Sequence, residues 1–163
     1  MSKINNAIKY SALVFTAASF LLSVYLIFSR HPYDGMTVNC STILSLAHKN
    51  PDVSSVVDLT LRLHSNHTGQ VALSGSIKQD NTTRTISRAV HFDYEIKNPG
   101  ELLIENMRYE KNQKDSATDD DFKMNFFYVP DGKQRLIKIN PLQNAYLIEN
   151  PHSPVFLCVN KET

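Results

Sequence analysis

From Val56 to Val159 the apolar residues of this chain return at every second position, and that period limits what it can fold into. "VVDLTLRLH" puts Val57, Leu59, Leu61 and Leu63 on one face and Asp58, Thr60, Arg62 and His64 on the other. "QVALSGSIKQ" keeps Val71, Leu73 and Ile77 in step. "RTISRAVHFDYEIKN" aligns Ile86, Val90, Phe92, Tyr94 and Ile96, interrupted by Arg88. "SNHTG", "DNTT", Asn98-Pro99-Gly100 and "PDGK" are turn sequences, the last of hairpin type. "ELLIENMRYEK", "FKMNFFYVP" (with Met124, Phe126 and Tyr128 alternating), "QRLIKIN", "NAYLIEN" and "VFLCVN" bring the strands to about eight. Short turns between strands that are apolar on one side predict a mainly β, antiparallel domain. A closed or nearly closed barrel suits this count, and a two-layer sandwich remains open as the rival.

Two segments depart from the period. "STILSLAHKNP" reads as a short helix, capped by Ser41, with Ile43, Leu44 and Ala47 on one face and Asn50-Pro51 as its stop. "DSATDDD" reads as a solvated acidic loop.

Ahead of the β region, residues 10–29, "YSALVFTAASFLLSVYLIFS", carry no charge and lie between Lys9 and Arg30. A hydrocarbon core of about 30 Å is crossed by about 20 such residues in a helix. Ser11, Thr16, Ser19 and Ser23 can hydrogen-bond back to the helix backbone, so they do not prevent insertion. The run predicts a retained transmembrane anchor. Cleavage of a signal peptide after Ala18 is one alternative, but it would leave "SFLLSVYLIFS" as an apolar tail. A buried soluble helix is the other. No lipobox precedes Cys40. Lys3 and Lys9 before the run, against Arg30 and Asp34 after it, favour a cytoplasmic N-terminus. The expected layout is a cytoplasmic stretch over 1–9, an anchor over 10–29 and an exported β domain over 30–163.

Cys40 and Cys158 stand at the two ends of that domain. In an oxidising compartment the natural reading is a disulfide joining its first and last elements, with two buried thiols as the alternative. Neither cysteine has metal-ligand spacing around it. Anchor and disulfide agree in placing the domain outside the cytoplasm.

Motifs for catalysis are missing. There is no G-x-S-x-G, H-E-x-x-H, P-loop or dinucleotide fingerprint, so the chain reads as a non-enzyme that takes no cofactor. His64 and His67 are too few for a metal site. Asp115, Asp119, Asp120 and Asp121 lack the order of a calcium loop. The net charge of +1 gives no broad basic field for direct nucleic-acid binding. Arg84 and Arg88 lie on one strand face, either as ordinary cross-strand charges or as contacts for an acidic partner or ligand.

The layout as a whole resembles the FidL-like small membrane proteins of enteric bacteria. The resemblance rests on the short basic N-terminus, the single anchor, the Cys soon after it, "VALSGSI", "RTISRAVHFDYEI" and the closing "NAYLIENPHSPVFLCV". It covers nearly the whole chain, and its motifs are weakly specific. Such proteins are similar to the ToxS and VtrC type of co-component. The resemblance implies a single-pass protein of the bacterial inner membrane with a periplasmic, lipocalin-like barrel. It implies binding to the periplasmic domain of a membrane-bound winged-helix transcription regulator, which the small protein stabilises or switches. It also implies a possible bile salt or fatty acid as the signal. A stand-alone periplasmic lipid or bile-salt binder and a structural subunit of an envelope complex are the other readings. With a barrel in view, the aromatic alternations make Phe92, Tyr94, Phe126 and Tyr128 candidate walls for an amphipathic ligand. Arg88 is the candidate contact for its anionic head group. The opposing reading is that these aromatics only fill the core.

Overall fold

In the computed structural model the alternating rows become the inner and outer faces of one closed antiparallel barrel. The structure describes residues 16–25, 35–49, 52–79, 81–123, 128–130 and 132–161. The chain divides into two units, Met1–Asp34 and Gly35–Thr163.

In the first unit, residues 16–25 form a helix, α1. Ser23 Oγ donates to the Ser19 carbonyl at 2.9 Å, the back-bonding that lets a hydroxyl ride on an apolar helix. Phe20, Leu21, Leu22 and Tyr25 are all exposed. Residues 1–15 and 26–34 lie outside the described residues, and with them much of the expected anchor and the whole N-terminal stretch. Among the described residues, no helix is long and apolar enough to cross a membrane.

The second unit holds the barrel. Its strands are β1 (Val38–Lys49), β2 (Asp52–His64), β3 (Thr68–Gln79), β4 (Thr82–Asn98), β5 (Glu101–Lys111), β6 (Arg135–Leu142), β7 (Ala145–Asn150) and β8 (Ser153–Asn160). Each pairs with the next, and β8 returns to β1. Pairing sets the inner rows side by side. Leu61 faces Val71, and Val71 faces Val90. Leu59, Leu61, Val71, Val90, Leu102, Ile139 and Ile148 are fully buried in the resulting core. Each such side chain stabilises the fold by roughly 1.5–3 kcal/mol.

The closure is uneven. β8 pairs with β1 only at Cys40–Asn160 and Ser41–Val159. β5 pairs with β6 only from Glu101 to Ile104. Closure is tied covalently, because Cys40 and Cys158 form a disulfide with their Cα atoms 5.4 Å apart. The ring of pairing excludes the sandwich.

Three sequence expectations change. The expected helix at "STILSLAHKNP" is instead most of β1, paired to β2 along its full length from Val38–Leu63 to Lys49–Asp52. That segment carries both periods. Ile43, Leu44 and Ala47 suit a helix, while Cys40, Thr42, Leu44 and Leu46 alternate, and a twelve-residue ladder with β2 decides the matter. "FKMNFFYVP" is not a strand where it is described. Phe122 and Lys123 end a short helix, α2 (Asp119–Lys123), and residues 128–130 have no regular structure. Met124 to Phe127 lie outside the described residues. Thus β1 takes the place in the count that "FKMNFFYVP" was expected to fill. "PDGK" does form a turn, closed by Lys133 N to Pro130 O at 3.0 Å with Gly132 at φ 71°, but among the described residues no strand leads directly into it.

Candidate functional site

One end of the barrel is covered by the segment from Asn112 to Lys123, and the reason lies on β4. Arg84, Ile86 and Arg88 lie on the inner row, where Ile86 belongs to the apolar core and Arg88 stands opposite Leu73. A guanidinium on that row needs partners, because burying it unpaired would be very costly. The acidic segment supplies them. Arg88 Nε donates to Asp115 Oδ2 at 2.9 Å, and Nη1 donates to Asp119 Oδ1 at 3.0 Å. Nη2 donates to the carbonyls of Ala117 and Thr118 at 3.0 and 3.3 Å. The guanidinium carbon lies 4.6 Å from the centre of the Phe122 ring, a cation–π contact. Arg84 Nη1 donates to both oxygens of Asp121 at 3.2 and 3.1 Å.

The acidic stretch is therefore not a solvated loop. The side chain of Asp115 is 0% exposed and that of Asp121 is 5%, whereas Asp119 is 80% exposed. Ala117 and Phe122 join the apolar core. Thr118 caps α2 reciprocally: Asp121 N donates to Thr118 Oγ1 at 3.2 Å, and Thr118 N donates to Asp121 Oδ2 at 2.8 Å. The backbone stitches the cap to β4, with Ser116 N and Ala117 N both donating to Thr85 O.

These contacts set the ionisation. Burial pushes Asp115 upward, but the Ser87 N–H, Arg88 and Lys111 outweigh it and hold its pKa below the ordinary value. For Asp121 burial is likewise outweighed, by the N–H and hydroxyl of Thr118 and by Arg84. Both stay carboxylates at neutral pH.

Beside the cap lies a pocket of about 270 Å³, lined by Arg88, Tyr109, Lys111, Asp119, Phe122, Lys123 and Tyr128. Tyr109 packs edge-on against Phe122 and tilted against Tyr128, each at 5.6 Å between ring centres. The Tyr109 hydroxyl donates to Val129 O at 3.0 Å and accepts from Val129 N at 2.8 Å, which fastens that wall. The Lys111 and Lys123 side chains are half exposed, and their ammonium groups donate to the Ala117 carbonyl at 2.8 Å and to Asp120 Oδ1 at 3.2 Å. A lining of aromatic rings with two amines can take an anionic group with an apolar body.

The expected ligand residues are distributed unevenly around this pocket. Arg88 and Tyr128 line it. Phe92 lies deep in the core at 1% exposure, its ring over Gly69, where an added Cβ would come within 2.3 Å of it. Tyr94 fastens the opposite end. Its hydroxyl accepts from Met36 N at 2.9 Å and donates toward the carbonyls of Met36 and His64 at 3.0 and 2.7 Å. Burial raises the Tyr94 pKa, partly offset by the Met36 N–H. Phe126 lies outside the described residues. Sequence reasoning missed Tyr109, Lys111, Phe122 and Lys123. Tyr109 and Lys111 had a signal, being in step with Met107 on β5, and Thr118-x-x-Asp121 is a helix-start pattern.

A family model described as FidL-like putative membrane protein matches residues 75–158, just over half of the chain. The matched span holds both arginines, the cap and Cys158. No curated protein and no solved structure matches the chain.

Proposed function

The chain belongs to the FidL-like family, and from that premise we propose that it is a membrane-anchored binding protein working on the export side of the bacterial inner membrane. Its task in this reading is to bind and stabilise or switch a single-pass winged-helix transcription regulator through that protein's periplasmic domain. The signal it takes is an anionic amphipath such as a bile salt or fatty acid. The observation that carries the reading is the pocket beside the cap, where Lys111 and Lys123 share a lining with the rings of Tyr109, Phe122 and Tyr128. Support for the compartment comes from the Cys40–Cys158 disulfide, since such bonds persist where the surroundings are oxidising. Support for the anchor comes from the uncharged run and from the apolar side chains that α1 leaves exposed. The ToxS and VtrC type of co-component supplies the partner class by resemblance.

The test has two arms. The full chain in lipid nanodiscs is melted with and without taurodeoxycholate below its micellar concentration, beside a Lys111→Ala/Lys123→Ala variant. A ligand that binds the folded state raises the melting temperature by mass action, and the variant should lose that rise. Equal shifts in both proteins would remove the pocket from the proposal. The second arm deletes the chain in cells and follows the abundance of membrane-bound winged-helix regulators. A ligand response with no change in any regulator would leave a stand-alone amphipath-binding protein.

A further inference from the structure

Strand β1 is paired on both sides only as far as Ser41. From Thr42 to Lys49 it pairs with β2 on one side, and among the described residues no strand pairs with it on the other. Which backbone groups face that open side follows from the seam. The Asn39 carbonyl accepts from Lys161 N there. By the alternation of antiparallel strands, Ser41, Ile43, Ser45 and Ala47 turn their N–H and C=O groups the same way. Edges like this are commonly blunted by a proline, a bulge or a charge. Between Thr42 and Ala47 there is no proline or charged side chain, and the β1–β2 register runs without a shift. The edge is also apolar. On the outer face Ile43 is 69% exposed, near Val56, Leu157 and Val159, each about half exposed, and Leu46 is 53% exposed on the other face of the strand.

The residues along the edge read Ile43-Leu44-Ser45-Leu46-Ala47, a near palindrome about Ser45. A two-fold interface brings residue i against j and j against i, so a palindromic strand is complementary to itself. With Ser45 on the axis, Leu44 of each copy meets Leu46 of the other, and Ile43 meets Ala47. The parity agrees, because Ile43, Ser45 and Ala47 are the residues whose backbone groups face outward. They form the hydrogen-bonded pairs, and the leucines form the closer non-hydrogen-bonded pairs. Shifting the register by one residue on each copy puts Ile43 against Lys49, or Ile43 against Ser45, and separates these matches.

We infer that the β1 edge from Thr42 to Ala47 is a docking surface for a second copy of this chain, which pairs β1 to β1 antiparallel about Ser45. The two barrels then share a continuous sheet. The strip is short and falls below the roughly 800 Å² per partner of a standard interface. The dimer is accordingly weak in dilute solution and depends on the copies being held at high local concentration, as on one membrane. The inference does not need the regulator or the amphipath, and its failure would leave both of those open.

The test is site-directed cross-linking of the full chain in native membranes, read on non-reducing gels. Cys40 and Cys158 are joined to each other and do not compete. Ser45→Cys should give a disulfide-linked dimer of twice the chain mass, since facing Cα atoms on a hydrogen-bonded pair are about 5.5 Å apart, within disulfide reach. Ile43→Cys alone should give little, because its twin lies about four residues along the strand. Ile43→Cys co-expressed with Ala47→Cys should restore the dimer. Leu46→Lys, placed in the Ser45→Cys background, should reduce the yield several-fold by setting a cation against Leu44 of the other copy. Equal yields at positions 43, 45 and 47 alone would mean random collision and would overturn the proposal. Capture of a different protein by Ser45→Cys would also overturn it, and would assign the edge to a hetero-partner.

Discussion

Arg88 and Asp115 share one buried contact, Nε to Oδ2 at 2.9 Å, with side chains only 4% and 0% exposed. Twenty-seven positions separate them in sequence. The pair joins an inward position of the β4 row to the segment that covers the barrel. Losing either partner leaves the other charge buried without its match, which typically costs about 3–5 kcal/mol. Arg88→Leu should therefore lower the unfolding free energy by that order in urea titration. Asp119→Ala should cost no more than about 1 kcal/mol, because Asp119 is largely exposed and such contacts are weak. Equal effects from the two would show that the cap is held by something other than the buried pair.

Acid should loosen the cap before the barrel. Asp115 and Asp121 are both more acidic in the folded chain than the usual carboxylate. Groups of that kind contribute their full stability above the unfolded value, about 3.9 for Asp. The contribution disappears as the pH falls through the lower folded values. The urea midpoint should thus be flat from neutral pH down to about 5 and fall below about 4. Asp115→Asn should be less stable than the parent at pH 7, and the gap between them should narrow at pH 2–3. A gap that stayed constant with pH would contradict the assignment.

How much of this was legible in the sequence varies with the kind of interaction. The inner rows of β2, β3 and β4 were readable because each strand buries one face, so Leu59, Val71 and Val90 announce themselves by period alone. The disulfide was readable from the placement of Cys40 and Cys158 at the two ends. β1 was not, since its residues satisfy two periods and only the presence of β2 selects one. The acidic cap was hidden for a related reason. Four aspartates in seven residues look like a solvated loop until Arg84 and Arg88 are known to face them, and nothing local gives that pairing. The pattern also puts Tyr94 on the inner row, but the bonds of its hydroxyl to Met36 and His64 join residues 58 and 30 positions apart and have no local signal.

The disulfide should carry a large part of the stability of the closure. β8 touches β1 through only two ladder positions, and Cys40 lies 118 residues from Cys158. In the chain-entropy account, opening a loop of that length costs about 4–5 kcal/mol. Urea unfolding with and without reductant, and of Cys40→Ser/Cys158→Ser, should show a loss of this order. A loss below about 1 kcal/mol would mean that the barrel closes by packing alone.

The contact of Phe92 with Gly69 decides whether this aromatic fills the core or lines a ligand cavity. The ring is 1% exposed and lies over a residue without a side chain, on the facing position of β3. A Cβ added at Gly69 would meet the ring at 2.3 Å and Leu63 Cδ2 at 2.9 Å. Gly69→Ala should then cost about 1–3 kcal/mol as overpacking. Phe92→Ala should cost about 3–5 kcal/mol through lost burial and the space left behind. The double variant separates the two effects. With the ring gone the new methyl has room, so the pair should be more stable than the sum of the single losses by most of the Gly69→Ala penalty. A cavity wall behaves otherwise. Phe92→Ala would then cost little, Gly69→Ala would be tolerated because the ring could swing into the space, and the two losses would add. Urea titration of the four proteins at pH 7 distinguishes the cases, and a coupling within about 0.3–0.5 kcal/mol of zero would rule out the filled core at this position.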